Sequence, residues 1–301
     1  MVDRVSTYAQ SGSLLKDLMQ LQSQYAKGVL QQSSGFISDT YDEIGSDTQR
    51  LLNFESEYSE ISAQSENAQI AMDRVEIMYD NVSLMLDLIS LSLGDIAAAL
   101  GGTTVDGSYI SAELQQGIEE LASRLNAQSD STYLFAGGAS IPPVNLNDPD
   151  YALVVDPLIA DTEYYQGGDY TFQVQASSGL TVDYGVRADN SGFEKALRAY
   201  NLALNNPEDE ATLREAYALM SEGFEEINTM QTILSSQATT LDNQIDNNTE
   251  ELALLDGLIS NIKQADLAEV TMKLAELETQ LEASYAVATK LLQLNLYDYI
   301  R

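Results

Sequence analysis

YSEISAQSENAQIAMDRVEIMYDNVSLMLDLISLSLGDIAAAL, from Tyr58 to Leu100, decides the fold. After Tyr58, residues at gaps of three and four run Ile61, Ser65, Ala68, Met72, Val75, Tyr79, Val82, Leu86, Ile89, Leu93, Ile96 and Leu100. A mostly apolar repeat of 3.5 residues held for about six heptads specifies one long helix whose seam packs on other helices. Traced backwards, the same register meets Phe54, Leu51, Asp47 and Ile44, which sets the helix start in the forties.

A second run of the same kind follows the helix-start signal Asn206-Pro207-Glu208-Asp209. It reads Leu213, Tyr217, Met220, Phe224, Ile227, Gln231, Leu234, Ala238, Leu241, Ile245, Asn248, Leu252, Leu255, Ile259 and Ile262. The next apolar series, Leu267, Val270, Leu274, Leu277, Leu281, Ser284, Ala288 and Leu291, is displaced by one residue, so a kink, loop or change of partner is expected at Gln264 to Asp266. Near the amino terminus a shorter stripe of Leu14, Leu18, Leu21, Tyr25 and Gly28 stops at Ser33-Ser34-Gly35. Leu114, Ile118, Leu121 and Leu125 mark one more helix.

Between 141 and 190 the pattern changes. Pro142-Pro143 and Asp148-Pro149 break helices, while Tyr170 to Gln175 and Leu180 to Tyr184 have strand character around a Ser177-Ser178-Gly179 turn. Some fifty residues make a marginal domain by themselves, so this segment should pack on the helical part. The expected fold is mainly α: a long antiparallel helical bundle or coiled coil built from amino- and carboxyl-terminal arms, with a small inserted β-rich domain. Three parts are expected. Residues 1–40 with 265–301 form paired terminal helices, 41–140 with 191–264 a long-helix bundle, and 141–190 the β-rich outer insert.

Composition narrows the function. The 301 residues contain no Cys, His or Trp, which removes Cys/His zinc sites, thiolate nucleophiles and a Ser-His-Asp relay. With 14 basic against 47 acidic side chains the formal charge is -33, a field that repels polyphosphate, so nucleic acid is not an expected partner. That charge is uneven: residues 1–40 hold three of each sign, 264–301 hold three basic and six acidic, and the middle carries a net -30. Near-neutral, apolar-striped ends suit packing against copies of the chain, and an acidic middle suits water. Neither a cleaved secretory signal nor a membrane insertion is expected from the hydropathy pattern.

The remaining chemical candidates read as structure. Glu119-Glu120, Glu225-Glu226 and Glu250-Glu251 would splay by about 100° on a helix and cannot flank one glycosidic bond. Asn147-Asp148-Pro149-Asp150 lacks the ligand spacing of an EF-hand and reads as a turn. Gly101-Gly102, Gly137-Gly138 and Gly167-Gly168 match no phosphate-binding motif and read as turns. No catalytic, cofactor-binding or metal-binding residue is assigned, and no cofactor is expected.

The stretch Asp266-Leu267-Ala268-Glu269, then Gln280 through Leu292, and finally Leu296-Tyr297-Asp298-Tyr299-Ile300 resembles the terminal axial helix of the flagellins and of hook-associated proteins built like them. The aromatic ending is more similar to the FlgL family of hook-filament junction proteins than to flagellin proper. Arg4-Val5-Ser6-Thr7, Leu21-Gln22 through Gly35, and Tyr133-Leu134-Phe135-Ala136-Gly137 are similar to the same family. Thr40-Tyr41-Asp42-Glu43-Ile44-Gly45 departs from it, standing where many members carry an Asp-Asp-Pro or Asp-Asp-Ala-Ala segment.

The resemblance implies a non-enzymatic structural subunit of the bacterial flagellum, an adaptor joining hook to filament, with flagellin as the alternative; outside the resemblance, an acidic secreted hydrolase on a helical scaffold is a minor alternative. It implies an extracellular location reached through type III export, with copies of itself in a ring, a neighbouring hook-associated protein, flagellin and an export chaperone as partners. The assembly interface it implies comprises Leu14, Leu18, Leu21, Tyr25, Leu267, Val270, Leu274, Leu277, Leu281, Tyr285, Leu291, Leu292, Leu296 and Tyr299.

Overall fold

The computed structural model describes residues 2–38, 40–41, 44–102, 107–147, 154–161 and 163–299, with side chains of 2–11, 107 and 291–299 outside that description. Six helices and two short hairpins follow in order: α1 (Val2–Ser34), α2 (Thr48–Gly101), α3 (Gly107–Leu125), β1 (Gln128–Ser129), β2 (Thr132–Tyr133), β3 (Phe172–Ser177), β4 (Leu180–Tyr184), α4 (Ser191–Asn205), α5 (Glu210–Lys263) and α6 (Leu267–Tyr299). The mainly helical fold with a small β segment is therefore the one present.

Helix ends obey local chemistry. α1 stops where Gly35 turns to φ 76°, a left-handed residue that ends a helix at little cost. The register break at Gln264 to Asp266 is the junction of α5 and α6, and Asp266 Oδ1 accepts the N–H groups of Ala268 (2.9 Å) and Glu269 (3.2 Å) to cap α6. At the start of α5, Asp209 Oδ2 accepts from the backbone N–H of Thr212 at 2.9 Å. Asn190 caps α4 through Gly192 N at 3.2 Å. Asp148 to Asp150 of the acidic turn lie outside the described residues.

The chain divides into two compact units, residues 1–59 with 253–301 and residues 60–252. The second unit has a single apolar core shared by helices and β segment: Val75, Val82 and Ile89 of α2, Leu114 and Leu121 of α3, Phe193 and Tyr200 of α4, Ile227 and Leu234 of α5, and Val174 and Val182 of the hairpin all belong to it. The β segment thus packs into the helical core, as its small size requires.

Both long helices bury every seventh residue: Ile61, Ala68, Val75, Val82, Ile89 and Ile96 on α2, and Leu213, Met220, Ile227, Leu234, Leu241, Asn248 and Leu255 on α5. The second line of the α2 seam differs from the sequence reading. Gln64, Ala71, Met78, Met85 and Ser92 are buried, whereas Ser65, Met72 and Leu93 are half-buried and Tyr79 is exposed. Small and flexible side chains fit the close-packed side, and the bulky tyrosine turns outward. By length and composition alone, α2 is apolar enough to cross a membrane.

Polar residues of α5 hold the strands. Asn248 Nδ2 donates to Ala176 O at 2.9 Å, and Gln237 Oε1 accepts from Gly185 N at 3.0 Å, so two polar heptad-region residues of α5 fasten the ends of the β3–β4 hairpin. β3 and β4 pair antiparallel, Val174 opposite Val182 and Phe172 opposite Tyr184, with a bulge between Gln175 and Ser177.

The segments around Gly137-Gly138 and Gly167-Gly168 are more than two separate turns. Gly168 N donates to Ala136 O at 2.8 Å, and a Cβ on Gly137 would lie 2.2 Å from Gly168 O. The two glycine pairs interlock, and neither strand of this contact tolerates a side chain.

An ion pair buried in the same unit anchors residues 156–161. Arg198 Nε meets Glu194 Oε1 at 2.7 Å, its Nη1 donates to the carbonyls of Asp156 and Pro157, and Glu194 Oε1 accepts Asp161 N at 2.8 Å. With every charged atom partnered, burial of the pair is tolerated.

Candidate assembly surface

The first unit is built on α1 and α6. Gln22 Nε2 donates to Tyr285 Oη at 2.6 Å, Gln32 Nε2 to Thr271 Oγ1 at 3.4 Å, and Gly28 packs on Leu274, where an added Cβ would lie 2.7 Å from Cδ2. Rising residue numbers on α1 meet falling ones on α6, so the pair is antiparallel. Glycine at 28 lets the leucine seat against the α1 backbone.

The pair is fixed at its root. Phe36 and Gln264 form an antiparallel bridge, Ile37 N donates to Lys263 O at 2.7 Å, and Ala265 N donates to Gly35 O at 2.9 Å. Beside them Lys263 Nζ sits 2.5 Å from Glu55 Oε1, and Tyr41 Oη donates to Glu55 Oε2 at 2.7 Å. The lysine hydrogen bond holds the Glu55 carboxyl below its ordinary range, and the same carboxylate pushes the Tyr41 phenol up. The residues where the sequence departs from the family pattern therefore include one arm of this knot, Tyr41.

The expected interface residues fall into four groups. Leu18, Leu274 and Leu277 are buried, and Leu14, Leu21, Tyr25, Val270 and Leu281 half-buried. Leu267 and Tyr285 are about half exposed, at 48% and 47%. The side chains of Leu291, Leu292, Leu296 and Tyr299 lie outside the described ones.

A second set of apolar side chains was not singled out from the sequence. On α1, Leu15 (57%), Met19 (60%) and Leu30 (67%) are exposed, with Ala26 between them, on a row about 130° around the helix from the Leu18 seam. On α6, Ala268, Met272, Ala275, Thr279, Ala283 and Ala286 are all exposed and lie nearly opposite Leu274. Neither row contains a charge. Spacing of 15, 19, 26 and 30 is itself a helical repeat, so a search for a second stripe would have found it.

Of the paired carboxylates, Glu119 and Glu120 engage different neighbours. Glu119 accepts from Gln115 at 2.7 Å and Glu120 from Arg124 at 2.8 Å. Among the described residues no cluster of three potential metal-ligating side chains occurs.

No family profile and no curated protein sequence matches the chain. Solved structures share its fold, two of them flagellar. A flagellar hook-associated protein of Vibrio parahaemolyticus, described as putative, superposes with a TM-score of 0.62 at 17% identity, over 72% of this chain and 97% of its own. FlgL of Bacillus cereus superposes with a TM-score of 0.53 at 14% identity, over 70% of this chain and 98% of its own.

Proposed function

We propose that this chain is a structural subunit of the bacterial flagellum, a hook-associated adaptor between hook and filament. One observation carries the reading: the antiparallel α1–α6 pair satisfies its own seam and still presents uncharged apolar rows outward on both helices. Such a pair gains by stacking with copies of itself, because a free monomer leaves those rows in water. The likeness to two flagellar structures over nearly their whole length supports the same reading.

In this role the chain works by contact and carries out no reaction. Residues 1–40 and 265–301 serve as the axial contacts, and residues 141–190 face outward. Leu15, Met19, Leu30 and Met272 then join the interface expected from the sequence, while Leu18, Leu274 and Leu277 act through the pair they hold together. Partners are copies of the chain in a ring, a neighbouring hook-associated protein, flagellin, and a chaperone during export to the cell exterior. The different surfaces that a junction subunit shows to its two neighbours confine it to a short ring.

The test is location. Antibody against residues 141–190 should label a narrow band at the distal end of the hook, and a strain lacking the protein should keep its hooks and release flagellin into the medium. Label along the whole filament would make the chain a flagellin and remove the adaptor reading.

A further inference from the structure

The face of α2 opposite its buried seam carries Ile70, Ile77, Leu84 and Leu91, which are 45%, 36%, 46% and 70% exposed. They stand seven residues apart. Between them Asp73, Asp80 and Asp87, also seven apart, are exposed on the same side of the helix. Single exposed aliphatics are ordinary on a protein surface. Four in one register over 21 residues make a continuous row about 32 Å long.

The geometry of the row points to a helical occupant. A strict seven-residue row on a helix drifts by about 20° per heptad, and a partner follows it only by supercoiling, as a second helix does. The buried lines of α2 share that period, so the outward row stays opposite the core along its length.

Charge selects which helix. Seven residues of helix separate successive aspartates by about 10.5 Å, too far to share one cation. Each therefore calls for its own basic side chain. Two copies of this face laid together would set aspartate against aspartate, and the lysines of α1 (Lys16, Lys27) and of α6 (Lys273, Lys290) stand 11 and 17 residues apart, out of step with aspartates seven apart. The basic side chains of residues 60–252 that are described are already engaged with carboxylates of the same chain: Arg124 with Glu120, Arg187 with Asp189, Lys195 with Glu222 and Glu226, Arg198 with Glu194, and Arg214 with Glu210. Arg74, the exception, turns to the hairpin, 3.3 Å from Tyr184 Oη and 5.9 Å from the Phe172 ring centre. A bilayer would have to accept the same three carboxylates, at a cost of a few kcal/mol each near its centre.

We propose that this face of α2 docks an amphipathic helix of a different chain, one with aliphatic side chains every seven residues and a Lys or Arg between them in the positions that meet Asp73, Asp80 and Asp87. The site is independent of the flagellar reading and would hold if the chain's location proved different.

Calorimetric titration of the full chain tests it. The probe is a synthetic helix about four heptads long, with Leu at every first position and Lys at every fourth, in near-physiological salt. A control peptide of the same composition has its lysines moved to the outer face. One-to-one binding of the probe is expected, with affinity lowered about tenfold or more by Ile77→Ser with Leu84→Ser and, separately, by Asp73→Asn with Asp80→Asn and Asp87→Asn. Circular dichroism of each variant shows whether the fold is kept, and these exposed positions should leave it unchanged. Equal binding of the control peptide, or no binding of the probe, overturns the proposal. So does self-association in sedimentation that Leu84→Ser abolishes, which makes the occupant a second copy, or binding to phosphatidylcholine vesicles that Leu84→Ser abolishes, which makes it a membrane.

Discussion

The two units solve one problem in opposite ways. Residues 60–252 surround their apolar seams with neighbours: α3, α4 and the hairpin cover α2 and α5, and large side chains such as Phe135, Tyr164, Phe193 and Tyr200 are almost wholly buried. The α1–α6 pair has only two helices, and two helices can cover one seam each. Among its described side chains Leu18, Leu274 and Leu277 are buried, while Leu15, Met19, Leu30 and Met272 stay in water. A helical surface left apolar after its own pairing is complete stabilises an assembly instead of a monomer. Stability and assembly are thereby placed in different residues.

The largest expected effect on that contrast comes from the buried ion pair. Arg198→Met leaves Glu194 buried without its cation and should destabilise residues 60–252 by about 3–5 kcal/mol. Chemical denaturation followed by circular dichroism would measure it. Little change in the α1–α6 pair is expected, and equal loss in both would show the two units to be thermodynamically coupled.

Alkali should separate the units next. Burial pushes the Tyr200 phenol, whose hydroxyl lies 2.7 Å from Ser92 Oγ, up to about 12, and burial does the same to Tyr165. The unfolded chain ionises these groups near 10.0, so their contribution is full below that pH and is lost as pH rises towards about 12. For Tyr200 the loss is about 1.4 kcal/mol per pH unit across that window. Melting temperature measured from pH 9 to 12 should fall, and Tyr200→Phe should flatten the fall. An unchanged slope in the phenylalanine variant would exclude Tyr200 as the cause.

Acid should act on the root of the terminal pair. Glu55 is held below the ordinary carboxylate value of 4.5, so its contribution is present above that pH and fades as pH drops through the lower folded value. Glu55→Gln should remove the dependence and cost about 1 kcal/mol. Hydrogen exchange at residues 35–41 and 263–266 reads this directly. Faster exchange in the variant at neutral pH, converging with wild type in acid, is expected.

The smallest expected effect on stability carries the largest on assembly. Leu15→Ser with Met19→Ser removes exposed side chains and should shift melting by no more than about 0.5 kcal/mol. Incorporation into flagella should nevertheless fail. Normal incorporation would mean that this row is not a contact, and a large loss of stability would mean that the row is covered within the chain.

Much of the site's frame was legible in the sequence, and so was the spacing of its second apolar row; which row faces outward was not. The stop at Ser33-Ser34-Gly35, the one-residue register slip at Gln264 to Asp266 and the stripe through Leu18 and Leu274 follow from helix periodicity and from the φ 76° that Gly35 adopts at low cost. What escaped was which of two apolar rows on α1 the partner helix covers, because periodicity identifies a stripe and not its neighbour. The hairpin β1–β2 also escaped: its strands are two residues long and its turn uses Asp130 and Ser131 at φ 48° and 63°, without a glycine to announce it.

By itself, then, the sequence determined the long helices, their ends, the β3–β4 hairpin and the acidic middle between near-neutral ends, since each depends on local period, turn chemistry or charge count. Tertiary structure decided the rest. α4 has a clear polar face in its sequence, yet Glu194, Arg198 and Asn201 on that face are buried along with Phe193 and Tyr200, an arrangement possible only where a folded loop supplies carbonyls and an N–H to the ion pair. The second line of the α2 seam fell to Ala71, Met78 and Met85 instead of Met72 and Tyr79 because the space between packed elements, not the size of the apolar side chain, selects what is buried.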